Sequence, residues 1–242
     1  MMREQFGELS GPLSMPERSV LEGSGPVGSL PVGSGPVETE AKKALILLHG
    51  WGADGRDLID LAGPLQQSLP DCALWCPDAP DLCSANPMGR QWFELTQDFF
   101  QNPETALQEI AAIAQKIEQA ICDFAAHHSL SLTDIVVGGF SQGGMMSLHM
   151  AVSGRLPVFG FASLSGALIA PQKSQASSDT ARPAIFLAHG MRDEVVPFQA
   201  SQQAKSHLEA AGHVVHFVTR PELGHGIDGP ALDGLISFIK TG

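Results

Sequence analysis

The chain has 242 residues, 43% hydrophobic and 17% charged, the proportions of a globular protein with a substantial core rather than of a disordered or fibrous one. Its 26 acidic residues outnumber 14 basic ones, for a formal net charge of −12, which argues against nucleic acid or an anionic membrane as the main partner. No run reaches the roughly 18 apolar residues that a membrane helix needs, and the first twenty residues lack the apolar centre of a secretory signal, so a soluble cytoplasmic protein is expected.

In chain order, FGELSGPLSMP is a candidate edge strand, followed at 23–37 by GSGPV-GSLPV-GSGPV, a five-residue unit repeated three times. Proline removes a backbone donor and glycine resists ordering, which predicts a flexible or extended linker. Residues 1–40 are therefore expected to form an N-terminal extension ahead of a domain spanning 41–242. ALILLHG is a short apolar run ended by glycine, as in a strand buried on both faces, and CALWCPDAP is another, closed by prolines. In TALQEIAAIAQKIEQAICDFAAHH, Leu107, Ile110, Ile113, Ile117, Ile121 and Phe124 recur every three or four residues, the stripe of a long amphipathic helix starting near Asn102 or Thr105.

Strand DIVVGG, helix QGGMMSLHMAVSG, strands VFGFASLSG and AIFLAHG, helix FQASQQAKSHLEAAG, strand HVVHFVTR and helix GPALDGLISFIKTG complete the series. Alternating strands and helices predict an α/β fold with a mostly parallel sheet covered on both faces. In such sheets reactive groups gather beyond the C-terminal ends of the strands. Cys72, Cys76, Cys83 and Cys122 match no zinc-ligand spacing and read as structural free thiols, with a disulfide as the lesser alternative.

Just after DIVV comes Gly139-Phe140-Ser141-Gln142-Gly143, between a strand and a helix. That is the setting of a nucleophile elbow, in which a tight turn exposes a serine oxygen and the flanking glycines leave room for close backbone approach. A serine needs a base, and the base an orienting carboxylate. Downstream, Asp193 follows the strand AIFLAHG and His225 sits between two glycines in the loop after HFVTR. Glu194 and Asp228 compete for the acid's role, with Asp193 favoured by its place at the strand end. Among the other histidines, His49 and His189 read as loop supports, while His127, His128, His149 and His207 fall on helices and His213 and His216 at the last strand. The glycine-rich loop His49-Gly50-Trp51-Gly52 can supply one oxyanion donor, the Trp51 N–H, and the Gln142 N–H the other. No Gly-Lys-Ser/Thr follows to make it a phosphate loop.

The stretches LLHGWGADGRDL, PDAP, GRQWFEL, GFSQGGMMSLHM, HGMRDEVVP and ELGHGI, in that order from about Lys43 to the C-terminus, resemble the carboxylesterase/phospholipase branch of the α/β-hydrolases, which includes acyl-protein thioesterases. The resemblance implies an α/β-hydrolase fold without a large cap domain, a triad of Ser141, Asp193 and His225, and an oxyanion hole at Trp51 and Gln142. It also implies that Trp92 and Phe93 lie beside an acyl-binding groove, with a core aromatic as the alternative for Trp92, that neither metal nor organic cofactor is used, and that a homodimer can form. Hydrolysis of short- to medium-chain acyl esters is the expected activity. The alternatives are an acyl-protein thioesterase or lysophospholipase acting on long chains, and a binding protein that keeps the fold without catalysis.

Overall fold

The computed structural model describes residues 2–16, 40–169 and 182–242; the repeat at 23–37 lies outside the described residues. In chain order the elements are β1 (Met2–Phe6), β2 (Leu9–Ser14), β3 (Lys43–Leu48), α1 (Arg56–Ile59), α2 (Ala62–Ser68), β4 (Cys72–Trp75), β5 (Asp81–Leu82), β6 (Arg90–Gln91), α3 (Gln97–Gln101), α4 (Leu107–His127), β7 (Ile135–Phe140), α5 (Gln142–Ser153), β8 (Gly160–Leu164), β9 (Ala184–Gly190), α6 (Phe198–Ala210), β10 (Val215–Arg220) and α7 (Gly229–Lys240). Eight strands form one sheet in the order β1-β2-β4-β3-β7-β8-β9-β10, and β5 pairs with β6 in a small separate hairpin. From β4 to β10 the pairing is parallel. β2 joins β4 antiparallel through Leu13 and Ser14.

The alternation within β3 shows why its sequence is apolar without a break. Ala44, Ile46 and Leu48 enter the core on one face of the sheet, with α4 and α6, while Leu45 and Leu47 enter the core on the other, with α2 and α7. Both faces being dry, every position favours an apolar side chain, each worth about 1.5–3 kcal/mol when fully buried. α4 buries Ile110, Ile113, Ile117, Ile121 and Phe124 along one stripe.

The N-terminal residues make a hairpin, not the single edge strand read from FGELSGPLSMP. β1 begins at Met2, four residues before that segment, and its alternation is too polar to stand out locally. Phe6 anchors it, its ring edge-on to Trp75 at 5.0 Å and to Phe124 at 5.2 Å. The four cysteines are unpaired thiols. Burial pushes the Cys72 thiol up to about 12 and raises Cys76 as well, so both stay protonated and chemically quiet. No helix among the described residues is long and apolar enough to cross a membrane.

Candidate active site

Ser141 occupies the bend between β7 and α5 with φ +52° and ψ −114°, a backbone conformation that L side chains rarely adopt. The amide of Ser141 donates to the Leu164 carbonyl at 2.9 Å, and its own carbonyl accepts from Met145 at 3.0 Å. A Cβ on Gly139 would sit 2.1 Å from the backbone carbon of Gly143, and one on Gly143 would sit 2.1 Å from the Leu48 carbonyl oxygen. The crowding of glycines around the serine is therefore a packing requirement: helix, bend and β3 meet backbone to backbone. α5 starts at Gln142, which brings its N-terminal amides and positive dipole end to the same place.

On the far side of β7 the loops after β9 and β10 bring a carboxylate and an imidazole together. Asp193 Oδ1 accepts the amides of Val195 and Val196 at 2.9 and 2.8 Å, and its Oδ2 lies 2.7 Å from His225 Nδ1. Because a carboxylate accepts, Nδ1 carries the proton and Nε2 presents its lone pair. The imidazole rests on Phe140, ring centroids 4.8 Å apart, next in sequence to Ser141. Burial pulls the Asp193 carboxyl upward, yet the hydrogen bonds from His225, Val196 and Val195 outweigh it and hold the group below the usual carboxylate range. Backbone bonds join the two loops: Met191 donates to Arg220 at 2.9 Å and Arg192 to Leu223 at 3.0 Å.

Neither competing acid pairs with His225, whose carboxylate partner is Asp193. Glu194 is exposed. Asp228 caps α7, accepting the Ala231 amide at 3.0 Å, and pairs with Arg220 at 2.8 Å. His189, read from the sequence as a loop support, holds the loop after β9 and also reaches Asp193. It is buried, with Nε2 2.9 Å from the Val196 carbonyl and 3.2 Å from Asp193 Oδ2. Both neighbours accept, so Nε2 bears the proton, and Nδ1 meets the Ser201 hydroxyl. Desolvation lowers its pKa against the opposing pull of Val196 and Asp193. The neutral ring thus props the carboxylate from behind. A strand-end His four residues before an Asp was the only local signal.

Trp51 lies in the loop after β3, about a third exposed. A Cβ on Gly50 would be 3.5 Å from the Ser141 Cβ, which puts this loop against the serine. Neither the Trp51 amide nor that of Gln142 has a backbone acceptor among the described residues. Trp92 and Phe93, expected beside a groove, have side chains with no accessible surface and belong to the core, the alternative open for Trp92. The aromatic pair in GRQWFEL packs in the core, and the segment reaches the Trp51 and Gln142 loops through its backbone, the Trp92 indole N–H and the Gln91 side chain. Among the described residues, Glu4, His127 and His128 form the one cluster with the proximity of a metal-ligand set, in which Glu4 Oε2 lies 3.4 Å from His128 Nε2.

The chain matches the family described as Phospholipase/Carboxylesterase over residues 36–242. Carboxylesterase SOBER1 of Arabidopsis thaliana is 27% identical over 206 residues, 83% of this chain and 90% of that protein. Acyl-protein thioesterase 1 of Gibberella zeae is 24% identical over 223 residues, 85% and 92% of the two chains. Among solved structures, esterase PE8 is similar with a TM-score of 0.78 and 30% identity, covering 96% of this chain and 98% of its own.

Proposed function

Because the chain belongs to the phospholipase/carboxylesterase family of α/β-hydrolases, we propose that it is a serine carboxylesterase cleaving short- to medium-chain acyl esters by way of an acyl-enzyme. In this reading Ser141 attacks the ester carbonyl while His225 Nε2 takes its proton, and Asp193 steadies the imidazolium through Nδ1. The amides of Trp51 and Gln142 hold the tetrahedral oxyanion. The alcohol leaves with the proton from His225, and water, activated by the same imidazole, releases the acid and frees Ser141. Residues 41–242 are the catalytic domain on this reading, working without a cofactor on a small-molecule substrate in the cytoplasm. Residues 1–40 are its N-terminal extension. A homodimer completes the proposal, open to sedimentation of the pure protein.

The observation that carries the reading is the conjunction of a serine at φ +52° with a hydrogen-bonded Asp193–His225 pair whose ring lies on the residue before that serine. Hydrolysis of a short-chain nitrophenyl ester tests it. Ser141→Ala is expected to lower kcat by about 10⁴-fold or more; a variant keeping a tenth of the wild-type rate would refute the assignment.

A long-chain thioesterase or lysophospholipase is the second reading. It is favoured by the relatives named acyl-protein thioesterase and lysophospholipase-like protein and by exposed Trp51, Met191 and Val195 on the loops that carry the site. A chain-length series of matched esters and thioesters separates the two: a maximum kcat/KM at long thioesters replaces the first reading with the second.

A further inference from the structure

Residues 91–93 touch both loops that would supply the oxyanion donors. Toward the first, Gln91 Oε1 accepts from the Trp51 indole at 3.1 Å, and the Trp92 indole donates to the His49 carbonyl at 2.9 Å. Toward the second, the Trp92 amide donates to Gln142 Oε1 at 2.9 Å, and Gln142 Nε2 donates to the Phe93 carbonyl at 2.7 Å. The Gln91, Trp92 and Gln142 side chains are all buried. A carboxamide bonded at both its oxygen and its nitrogen in a dry interior is fixed in place, since any rotation would strand two buried polar partners.

His49 extends the link to the peptide plane itself. The Ala79 amide donates to His49 Nε2 at 3.0 Å, so Nδ1 bears the proton and donates to the Gly50 carbonyl at 2.7 Å. None of the described peptide bonds is cis, and in a trans peptide the C=O and the following N–H point in opposite directions. A Gly50 carbonyl held toward the His49 ring turns the Trp51 N–H away from it.

We propose that residues 91–93, latched to α5 by the Gln142 carboxamide, are a positioning element that sets the spacing and aim of the Trp51 and Gln142 amides for the tetrahedral stage of the reaction. The proposal rests on the esterase reading above and adds residues to that same site. Gln142 then acts twice, through its amide on the oxyanion and through its side chain on the opposite donor's loop. The Trp92 and Gln142 side chains have essentially no surface with which to touch substrate. Their effect therefore falls on the transition state, where charge develops on the oxygen, and not on ground-state binding.

The test is a double-mutant cycle of Trp92→Phe and Gln142→Met, both of which keep every backbone amide. Each single variant is expected to lower kcat about 10-fold while KM stays within about twofold. Affinity for a trifluoromethyl ketone, which forms a tetrahedral adduct, should fall by the same factor as kcat/KM. Trp92→Phe breaks the bridge at its His49 end and Gln142→Met at its α5 end; because the two bonds act in series, the double variant should fall no further than the weaker of the two singles. The proposal is overturned if kcat in both singles stays near wild type, if KM alone rises, or if the two losses multiply. Should Gln142→Met not fold, Gln142→Glu takes its place, since it keeps the acceptor for the Trp92 amide and loses the donor to the Phe93 carbonyl. Fluorophosphonate labelling of wild type separates the layers: an unlabelled Ser141 removes the esterase reading, whereas labelled wild type beside unimpaired variants removes only the positioning element.

Discussion

Around Ser141 the backbone is held by contact: glycine carbons press against the Leu48 and Gly143 backbone with no space for a methyl group. Around Asp193 and His225 it is held by hydrogen bonds, with two amides and an imidazole on one carboxylate and paired backbone bonds between the loops. The two regions consequently have opposite weaknesses. Beside the serine the damaging change is an added atom; at the acid–base pair it is a lost acceptor.

The sharpest way to break that contrast is Asp193→Asn, nearly the same shape with different hydrogen bonding. An amide in that place favours the wrong His225 tautomer, and kcat is expected to drop about 10³–10⁴-fold with the melting temperature close to wild type; a mild kinetic loss would mean that the carboxylate is not the orienting group. Gly143→Ala adds one carbon on the other side and should destabilise the fold by about 3 kcal/mol or more, or prevent it forming. Denaturant unfolding measures this, and a near-neutral result would show that β3 and α5 can separate.

Acidity probes both regions at once. Burial lowers the pKa of His49 below its ordinary value of 6.5 despite the Gly50 hydrogen bond and nearby Asp78, and lowers that of His189 likewise. A depressed histidine stabilises the fold fully above the unfolded value, and that stability is lost as pH falls below it, because the unfolded chain then binds the extra proton. Asp193 is depressed too, so its share persists above its unfolded value of 3.8 and goes only at lower pH. The melting temperature should decline between pH 6.5 and about pH 5, before any carboxylate contributes; a flat curve there would mean that these rings are already charged or already solvated. The smallest effect is expected for Asp228→Ala, which removes a helix cap worth about 1 kcal/mol. Its ester hydrolysis should stay within about twofold of wild type, and a large kinetic loss would reopen the choice of acid.

β3, β7 and β9 were legible because each is an apolar run stopped by glycine, and AIFLAHG coincides with β9 from Ala184 to Gly190. α4 was legible from its spacing. Elements without such patterns were not: β1 is mostly polar, and β5 and β6 have only two residues each. Within the candidate site, Ser141 and Asp193 were singled out by their places at strand ends and His225 by its flanking glycines. The buried state of Trp92 and Phe93 was not legible, because an aromatic pair looks the same whether it borders a groove or fills a core. Nor was the Gln142–Trp92 link, which joins residues fifty positions apart; such contacts exist only once the sheet has assembled.

The hairpin β1–β2 ends with a debt that involves Asp78. That nearly buried carboxylate accepts the Gly55 amide at 2.9 Å and is neutralised by Arg3. A chain trimmed back to residue 36, where the family match begins, would leave this anion without its guanidinium and bare the hydrogen-bonding rim of β4. Unsatisfied strand rims recruit other strands, so the trimmed protein should self-associate, and the loop that carries Trp51 would loosen at its Gly55 end.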